Sequence, residues 1–244
     1  KEIGFTDVHV VPEQEMPDPN FSTVKVPNTE DPAAFTLALK LADEIGADLV
    51  FGTDPDCDRV GIAVRDGEGN THILTGNQTG CLLLDYLLSR RKEMGTLPTN
   101  GAAVKSIVST EMARAICAHY GVAMIDVLTG FKFIAEQIQH FEETGEHTFL
   151  FGFEESYGYL SGTQVRDKDG VNASMLIAET AAWYKTKGMT MYDALQSLFK
   201  KYGFFGEKTF NLVMPGLDGA EKMAALMKSL RETPPSEIAG VKVA

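Results

Sequence analysis

The sequence predicts an α/β protein, and three observations predict it. Apolar runs of strand type alternate with longer amphipathic segments, Gly- and Asp-rich turns separate them, and 44% of the 244 residues are hydrophobic, enough to fill real cores. Taken in order, TDVHVV (6–11) reads as a strand, PAAFTLALKLADEIG (32–46) as a helix, and ADLVFG (47–52) as a strand that runs straight into an acidic loop. VGIAVRDGEGNTHILTG (60–76) reads as a hairpin, because Asp66-Gly67 and Glu68-Gly69 supply turn chemistry between two alternating runs. It closes a first unit, 1–75. A second unit, 76–204, opens with a helix over about 79–94, then the strand AAVKSIVS (102–109) and the helix TEMARAICAHYG (110–121). The strand VAMIDVL (122–128), the helix FKFIAEQIQHFEET (131–144), the strand HTFLFGF (147–153) and a long helix over about 172–187 complete it. After Tyr202 the pattern changes. KTFNLVMPG (208–216) reads as a strand, GAEKMAALMKSLRE (219–232) as a helix with Met223, Leu226, Met227 and Leu230 as its core stripe, and IAGVKVA (238–244) as the start of another strand, together a partial third unit, 205–244. The start at Lys1 reads as the end of a helix in a longer chain.

Composition narrows the function. A formal net charge of −12 argues against nucleic acid or an anionic membrane surface as partner, since both reward a basic face. No stretch is apolar over the length of a membrane span, and the N-terminus lacks the pattern of a signal peptide. Cys57, Cys81 and Cys117 form no CxxC pair, so neither a disulfide framework nor a zinc site is expected and the cytoplasm is the default compartment. His9, His72, His119, His140 and His147 show no ligand spacing.

The most informative segment is Thr53-Asp54-Pro55-Asp56-Cys57-Asp58-Arg59. In an extended strand or strand-like turn, aspartates at alternating positions project to one side of the backbone and meet at one point. Two carboxylates ~4 Å apart repel by roughly 4 kcal/mol at an effective dielectric near ~20, so a cation or a proton must relieve the cluster. Mg²⁺ fits, because it prefers carboxylate oxygens and keeps open positions for phosphate or water, whereas the soft sulfur of Cys57 is a packing group. Arg59 fits as the phosphate-facing cation through its planar fork. A calcium EF-hand loop fails, with Arg59 at the turn glycine and Arg65 at the final glutamate. An acidic surface turn and a phosphatase with Asp54 as nucleophile remain open.

Three further segments carry chemistry. Gly152-Phe153-Glu154-Glu155-Ser156-Tyr157-Gly158 follows a buried strand, and its carboxylates and hydroxyl suit neighbouring sugar hydroxyls. Thr129-Gly130-Phe131-Lys132 opens a helix, where free amides and Lys132 favour an anion, although a core-facing helix start explains most of it. Arg166-Asp167-Lys168-Asp169-Gly170 sets two cations in a polar loop, and a lysine beside a reacting hydroxyl can move a proton.

TDPDCDRVG, TGFKFI, GFEESYG and RDKDG, in that order, resemble the α-D-phosphohexomutase superfamily, most closely its phosphoglucomutase branch. The resemblance implies three-layer α/β/α mixed-sheet domains: the end of a second domain, a complete third, and the start of a smaller α+β fourth. It implies that Asp54, Asp56 and Asp58 hold one Mg²⁺, that Arg59 lies beside the phosphoryl group, and that Lys168 transfers a proton. Glu154 and Ser156 would grip the sugar hydroxyls, while Thr129, Gly130, Lys132 and Arg166 line the sugar site. The doubled glutamate at 154–155 points to glucose. The implied reaction passes a phosphoryl group from a phosphoserine to a hexose phosphate through glucose 1,6-bisphosphate. None of the serines is followed by His-Asn-Pro, so the nucleophile is absent and the piece alone is expected to be silent. An incomplete first unit leaves a sheet edge open to self-association.

Overall fold

The computed structural model describes residues 3–207 and 212–243. Two compact units divide the chain, 1–205 and 206–244. The first holds helices α1 (Pro12–Glu15), α2 (Thr36–Ile45), α3 (Gly76–Glu93), α4 (Met112–Tyr120), α5 (Phe131–Thr144), α6 (Gly170–Thr186) and α7 (Met191–Tyr202). Its strands are β1 (Leu49–Thr53), β2 (Val60–Arg65), β3 (Thr71–Leu74), β4 (Gly101–Ser106), β5 (Ala123–Val127), β6 (Thr148–Phe153) and β7 (Tyr159–Ser161). The second unit has α8 (Leu217–Glu232) and the two-residue strands β8 (Glu237–Ile238) and β9 (Val241–Lys242).

Two sheets organise the first unit. β1, β2 and β3 form an antiparallel meander, and β5-β4-β6-β7 form a mixed sheet in which β4 pairs parallel with β5 and β6, and β7 runs antiparallel to β6. β4 is buried along its whole length, as a central parallel strand with both faces covered must be. Its period-2 alternation sorts the two faces: Ala102 and Val104 pack with Phe131, Ile134, Ile138 and Phe141 of α5, while Ala103 belongs to the core with Ile116 of α4. Helices on both faces make three α/β/α layers. That second core also takes Val60, Ile62 and Val64 of β2 and Leu74 of β3, so the small sheet shares it. A capping box at Thr75 and Gln78 starts α3 three residues before the sequence expectation.

Several expectations are corrected. TDVHVV (6–11) is not in a strand, and among the described residues no strand pairs with it; Val8 and Val10 are exposed. Alternation alone makes no ladder without a neighbour. Of KTFNLVMPG, residues 208–211 lie outside the described residues and 212–216 form no strand, while the last segment turns back as a β8–β9 hairpin. Met227 and Leu230 are exposed rather than core, because one helix and a two-residue hairpin offer little to bury them. β7 and α7 were not anticipated.

Candidate functional site

Arg59 and Gly158 form an isolated antiparallel bridge, and the Val60 amide donates to the Tyr157 carbonyl at 3.1 Å, so the acidic loop after β1 is stitched to the loop between β6 and β7. The Gly170 amide, at the start of α6, donates to the Cys57 carbonyl at 3.0 Å, and the Asp169 amide to Tyr159 at 3.0 Å. Three segments far apart in sequence thereby meet. Cys57 (φ 55°) and Tyr157 (φ 68°) both hold left-handed backbone that L side chains seldom adopt, one in each stitched loop.

The aspartates converge, but not by strand alternation. β1 ends at Thr53 and the loop closes with the Cys57 amide on the Asp54 carbonyl at 3.1 Å, so a turn gathers the carboxylates. One oxygen from each of Asp54, Asp56 and Asp58 lies within 4.8 Å of the others, the one such acidic, histidine or cysteine group among the described residues. Burial pushes the Asp54 carboxyl above its ordinary value, and its bond to Asp58 adds to the rise against the Arg59 amide at 3.1 Å. Asp58 resists the same burial and sits below its ordinary value, because Lys168 and Asp54 bond to it. The neighbouring carboxyls are thus driven apart, as crowded carboxylates are. Asp58 Oδ1 is buried with no hydrogen-bond partner, Arg59 Nε standing off at 3.7 Å. An orphaned carboxylate oxygen beside two others is a donor set for a hard divalent cation, and Mg²⁺ fits it. Burial raises the Cys57 thiol, which makes it a poorer ligand still.

Lys168 reaches across from the α6 loop to Asp58 Oδ2 at 2.7 Å, with its side chain 14% exposed. Burial opposes its charge, but Asp58, Asp167 and Glu154 outweigh that and hold the ammonium above its ordinary value. Its Nζ also lies 5.9 Å from the centre of the Phe131 ring.

The parallel strands deliver the remaining residues at their carboxyl ends, where open α/β sheets bind ligands. Glu154 is 5% exposed and its Oε1 accepts the Gly130 amide at 2.8 Å. Gly130 needs no side chain there, since its φ is 123° at the N-terminus of α5. Ser156 is half-buried in the same loop as Glu154, and Thr129 and Lys132 are exposed around Gly130. Lys132 Nζ stands 4.9 Å over Phe133. Arg166 is tied elsewhere, donating to the Thr163 carbonyl at 2.8 Å and pairing with Glu142 of α5. The structure therefore joins Asp54, Asp58, Arg59 and Lys168 directly and Glu154 to Gly130, and leaves Arg166 in its own pairing.

Two contacts escaped sequence reasoning. Glu155 Oε2 accepts from the buried hydroxyls of Ser106 at 2.9 Å and Ser109 at 3.4 Å, so the second glutamate takes two neighbouring hydroxyls, but the protein's own. Glu30 Oε1 accepts from Arg59 Nη1 at 3.1 Å. Polar residues at the end of an otherwise apolar β4 were the signal for the first; nothing in the local pattern marked the second.

A family profile described as phosphoglucomutase/phosphomannomutase, alpha/beta/alpha domain III, matches residues 75–202, and that of domain II matches 1–68. Phosphoglucomutases of Staphylococcus aureus strains MRSA252 and N315 are each 40% identical over 243 residues, covering 100% of this chain and 43% of their own length. The chain thus spans less than half of those relatives. Among solved structures, a candidate phosphomannomutase of Thermus thermophilus aligns with a TM-score of 0.57 at 23% identity, over 72% of this chain and 36% of that one. The open form of the exocytosis-sensitive phosphoprotein pp63/parafusin (phosphoglucomutase) of Paramecium aligns at 0.51 and 20% identity, over 70% and 29%. These two share the fold. With the domain III profile covering more than half of its residues, this chain belongs to the phosphoglucomutase/phosphomannomutase family.

Proposed function

We propose that this chain supplies the metal loop and sugar loop of a phosphoglucomutase that interconverts glucose 1-phosphate and glucose 6-phosphate through a phosphoserine and glucose 1,6-bisphosphate. In this reading residues 1–75 are the latter part of the second domain, 76–204 the third, and 205–244 the start of the fourth. The observation that carries it is the stitching of the aspartate cluster, Arg59, Lys168 and the Glu154 loop into one body. Identity of 40% to phosphoglucomutases across the whole chain supports it.

Asp54, Asp56 and Asp58 would hold Mg²⁺, and the bound ion would neutralise charge on the transferring phosphoryl group. Arg59 presents a guanidinium beside that cluster, suited to phosphate oxygens. Glu154 and Ser156 orient the sugar through its hydroxyls, with Thr129, Gly130 and Lys132 beside them, and Arg166 would join them only on leaving its partner Glu142. Lys168 enters charged, since Asp58 holds its proton on, so its part is to donate a proton to the oxygen that the phosphoryl group leaves. The substrate class is a hexose phosphate. No described helix is long and apolar enough to cross a membrane, and cysteines that form no disulfide fit a reducing cytoplasm.

Calorimetric titration of Mg²⁺ into the chain and into Asp56→Ala tests the metal loop: the substitution should weaken binding about tenfold or more. In the full-length protein, interconversion of the two glucose phosphates should fall with it. Absence of Mg²⁺ binding by the unaltered chain, or a full-length protein that does not interconvert them, overturns the reading.

A further inference from the structure

Arg59 owes its position to a segment that the acidic motif does not include. The register of β1 against β2 sets Gly52 opposite Gly61. The Phe35 ring fills the depression these glycines leave: a Cβ at Gly52 would lie 2.9 Å, and one at Gly61 3.0 Å, from Phe35 Cζ. A Cβ at Gly61 would also stand 3.2 Å from Thr29 Cβ and from the Thr29 carbonyl oxygen. Thr29 and Phe35 are each 2% exposed. Residues 29–35 are therefore seated on the hairpin whose tip carries the aspartates.

Between those anchors the chain is fixed locally. The Glu30 amide donates to Asn28 Oδ1 at 2.9 Å, the Asp31 amide to the Asn28 carbonyl at 3.1 Å, and Asp31 Oδ1 caps Ala33 at 2.9 Å. Glu30 is left facing Arg59, with its Oε1 3.1 Å from Nη1. The other ion contacts of Arg59 are looser, 3.8 Å to Asp54 and 3.7 Å to Asp58, and both go to carboxylates of the cation cluster. Carboxylates engaged by a cation have less to offer a guanidinium. Glu30 stands outside that trio and keeps its hold.

We infer that Glu30 is a positioning residue, which holds the Arg59 guanidinium toward the phosphoryl face while the aspartates hold the cation. The inference rests on the reading of Arg59 as the phosphate-facing cation. Glu30→Ala removes the anchor and Glu30→Gln keeps only a neutral acceptor.

The first arm is independent of activity. In the ¹⁵N-labelled chain with saturating Mg²⁺, the Arg59 Nε–H resonance, assigned by its loss in Arg59→Lys, should be resolved in the unaltered protein and merge with the exposed arginines in Glu30→Ala. The second arm uses the full-length protein: Glu30→Ala should lower kcat about 10- to 100-fold with KM for glucose 1-phosphate within about twofold, and Glu30→Gln should fall between. The thermal midpoint should stay put, whereas a merely structural role would move the midpoint and leave the kcat to KM split alone. An unchanged Arg59 resonance, or an unchanged kcat in Glu30→Ala, overturns the positioning role. Arg59→Ala separates the two failures: if it leaves kcat intact, the reading of Arg59 falls; if it abolishes turnover while Glu30→Ala does not, only the positioning falls.

Discussion

Asp54 and Asp58 meet the same crowding in opposite ways, and the difference lies in what each touches. Both lose water, but Asp58 has the Lys168 ammonium at 2.7 Å and falls, while Asp54 has chiefly a backbone amide and rises. An acidic loop with no fixed cation beside it would not split its carboxyls so. Residues with no charge at all matter as much to the site. A Cβ at Gly76 would lie 2.0 Å from the Glu155 carbonyl oxygen and 2.8 Å from the Tyr157 amide, backbone that has nowhere to go because Glu155 is held by Ser106 and Ser109. Gly76→Ala should therefore destabilise the protein by about 1–3 kcal/mol. It should also displace the Glu154 loop, so that, on the proposed function, glucose 1-phosphate binding weakens along with the thermal midpoint. Gly67→Ala is the control, since a Cβ there meets nothing within 4 Å. A Gly76→Ala protein with the midpoint of the control would show that the loop yields freely.

At the scale of elements, the Asp66 carboxylate gathers four hydrogen bonds in the turn between β2 and β3. Asp66 sits far below its ordinary value, first because His72 bonds to it at 2.8 Å, then through Asn70 and the backbone amides of Asn70 and Glu68. His72 in turn stacks on Tyr192 of α7, with ring centres 3.9 Å apart. A carboxyl whose value is depressed by folding adds stability above its unfolded range and loses it as pH falls through the folded value. The midpoint of Asp66→Asn should accordingly lie below that of the unaltered protein at pH ~6, and the gap should have narrowed at pH ~3, where the unfolded carboxyl takes up its proton while the folded one still resists it. Equal midpoints at both pH values would remove Asp66 from the hairpin's stability. Asp66-Gly67 was readable as a turn in the sequence, and so, β7 apart, were the strands and helices of 32–187 to within a few residues, because periodicity and turn chemistry are local. β7 and α7 went unread, α7 despite the local signals of its Thr190–Asp193 capping box and its Met191, Ala194, Leu195 and Leu198 stripe, and the strand expected at 6–11 did not form because no neighbouring strand pairs with it among the described residues. The site divides the same way. Asp54, Asp56, Asp58, Glu154 and Lys168 stand in compact runs whose chemistry is visible in order, whereas Glu30 reaches Arg59 across a sequence gap that only the Gly52–Gly61 seat closes.

Across the whole first unit, the sequence and the family profiles divide the chain near residue 70, yet its buried side chains do not. The profiles match 1–68 and 75–202, while one hydrophobic cluster takes Val60, Ile62, Val64 and Leu74 from the small sheet together with Leu84, Ile116, Phe151, Ile177 and Leu195 from the larger layers. The functional loops repeat the pattern, with the acidic loop after β1 bonded to the loop after β6. Two bodies that share a core and a backbone bridge have no independent interior to melt separately, so 1–205 should unfold as one cooperative transition. Ile62 and Ile116 test this from opposite ends, since each is 0% exposed and each belongs to that cluster. Ile62→Ala and Ile116→Ala should each cost about 2–5 kcal/mol, and in calorimetry both should lower the same transition. If Ile62→Ala splits off a low-temperature step and leaves the Ile116-dependent one in place, the small sheet is a separate cooperative unit. The aspartate cluster could then drift relative to the Glu154 loop between turnovers. A single shifted transition instead means that the acidic loop and the Glu154 loop keep a fixed distance, and that in the proposed reaction the reorientation of a bisphosphate is left to the ligand rather than to these two loops.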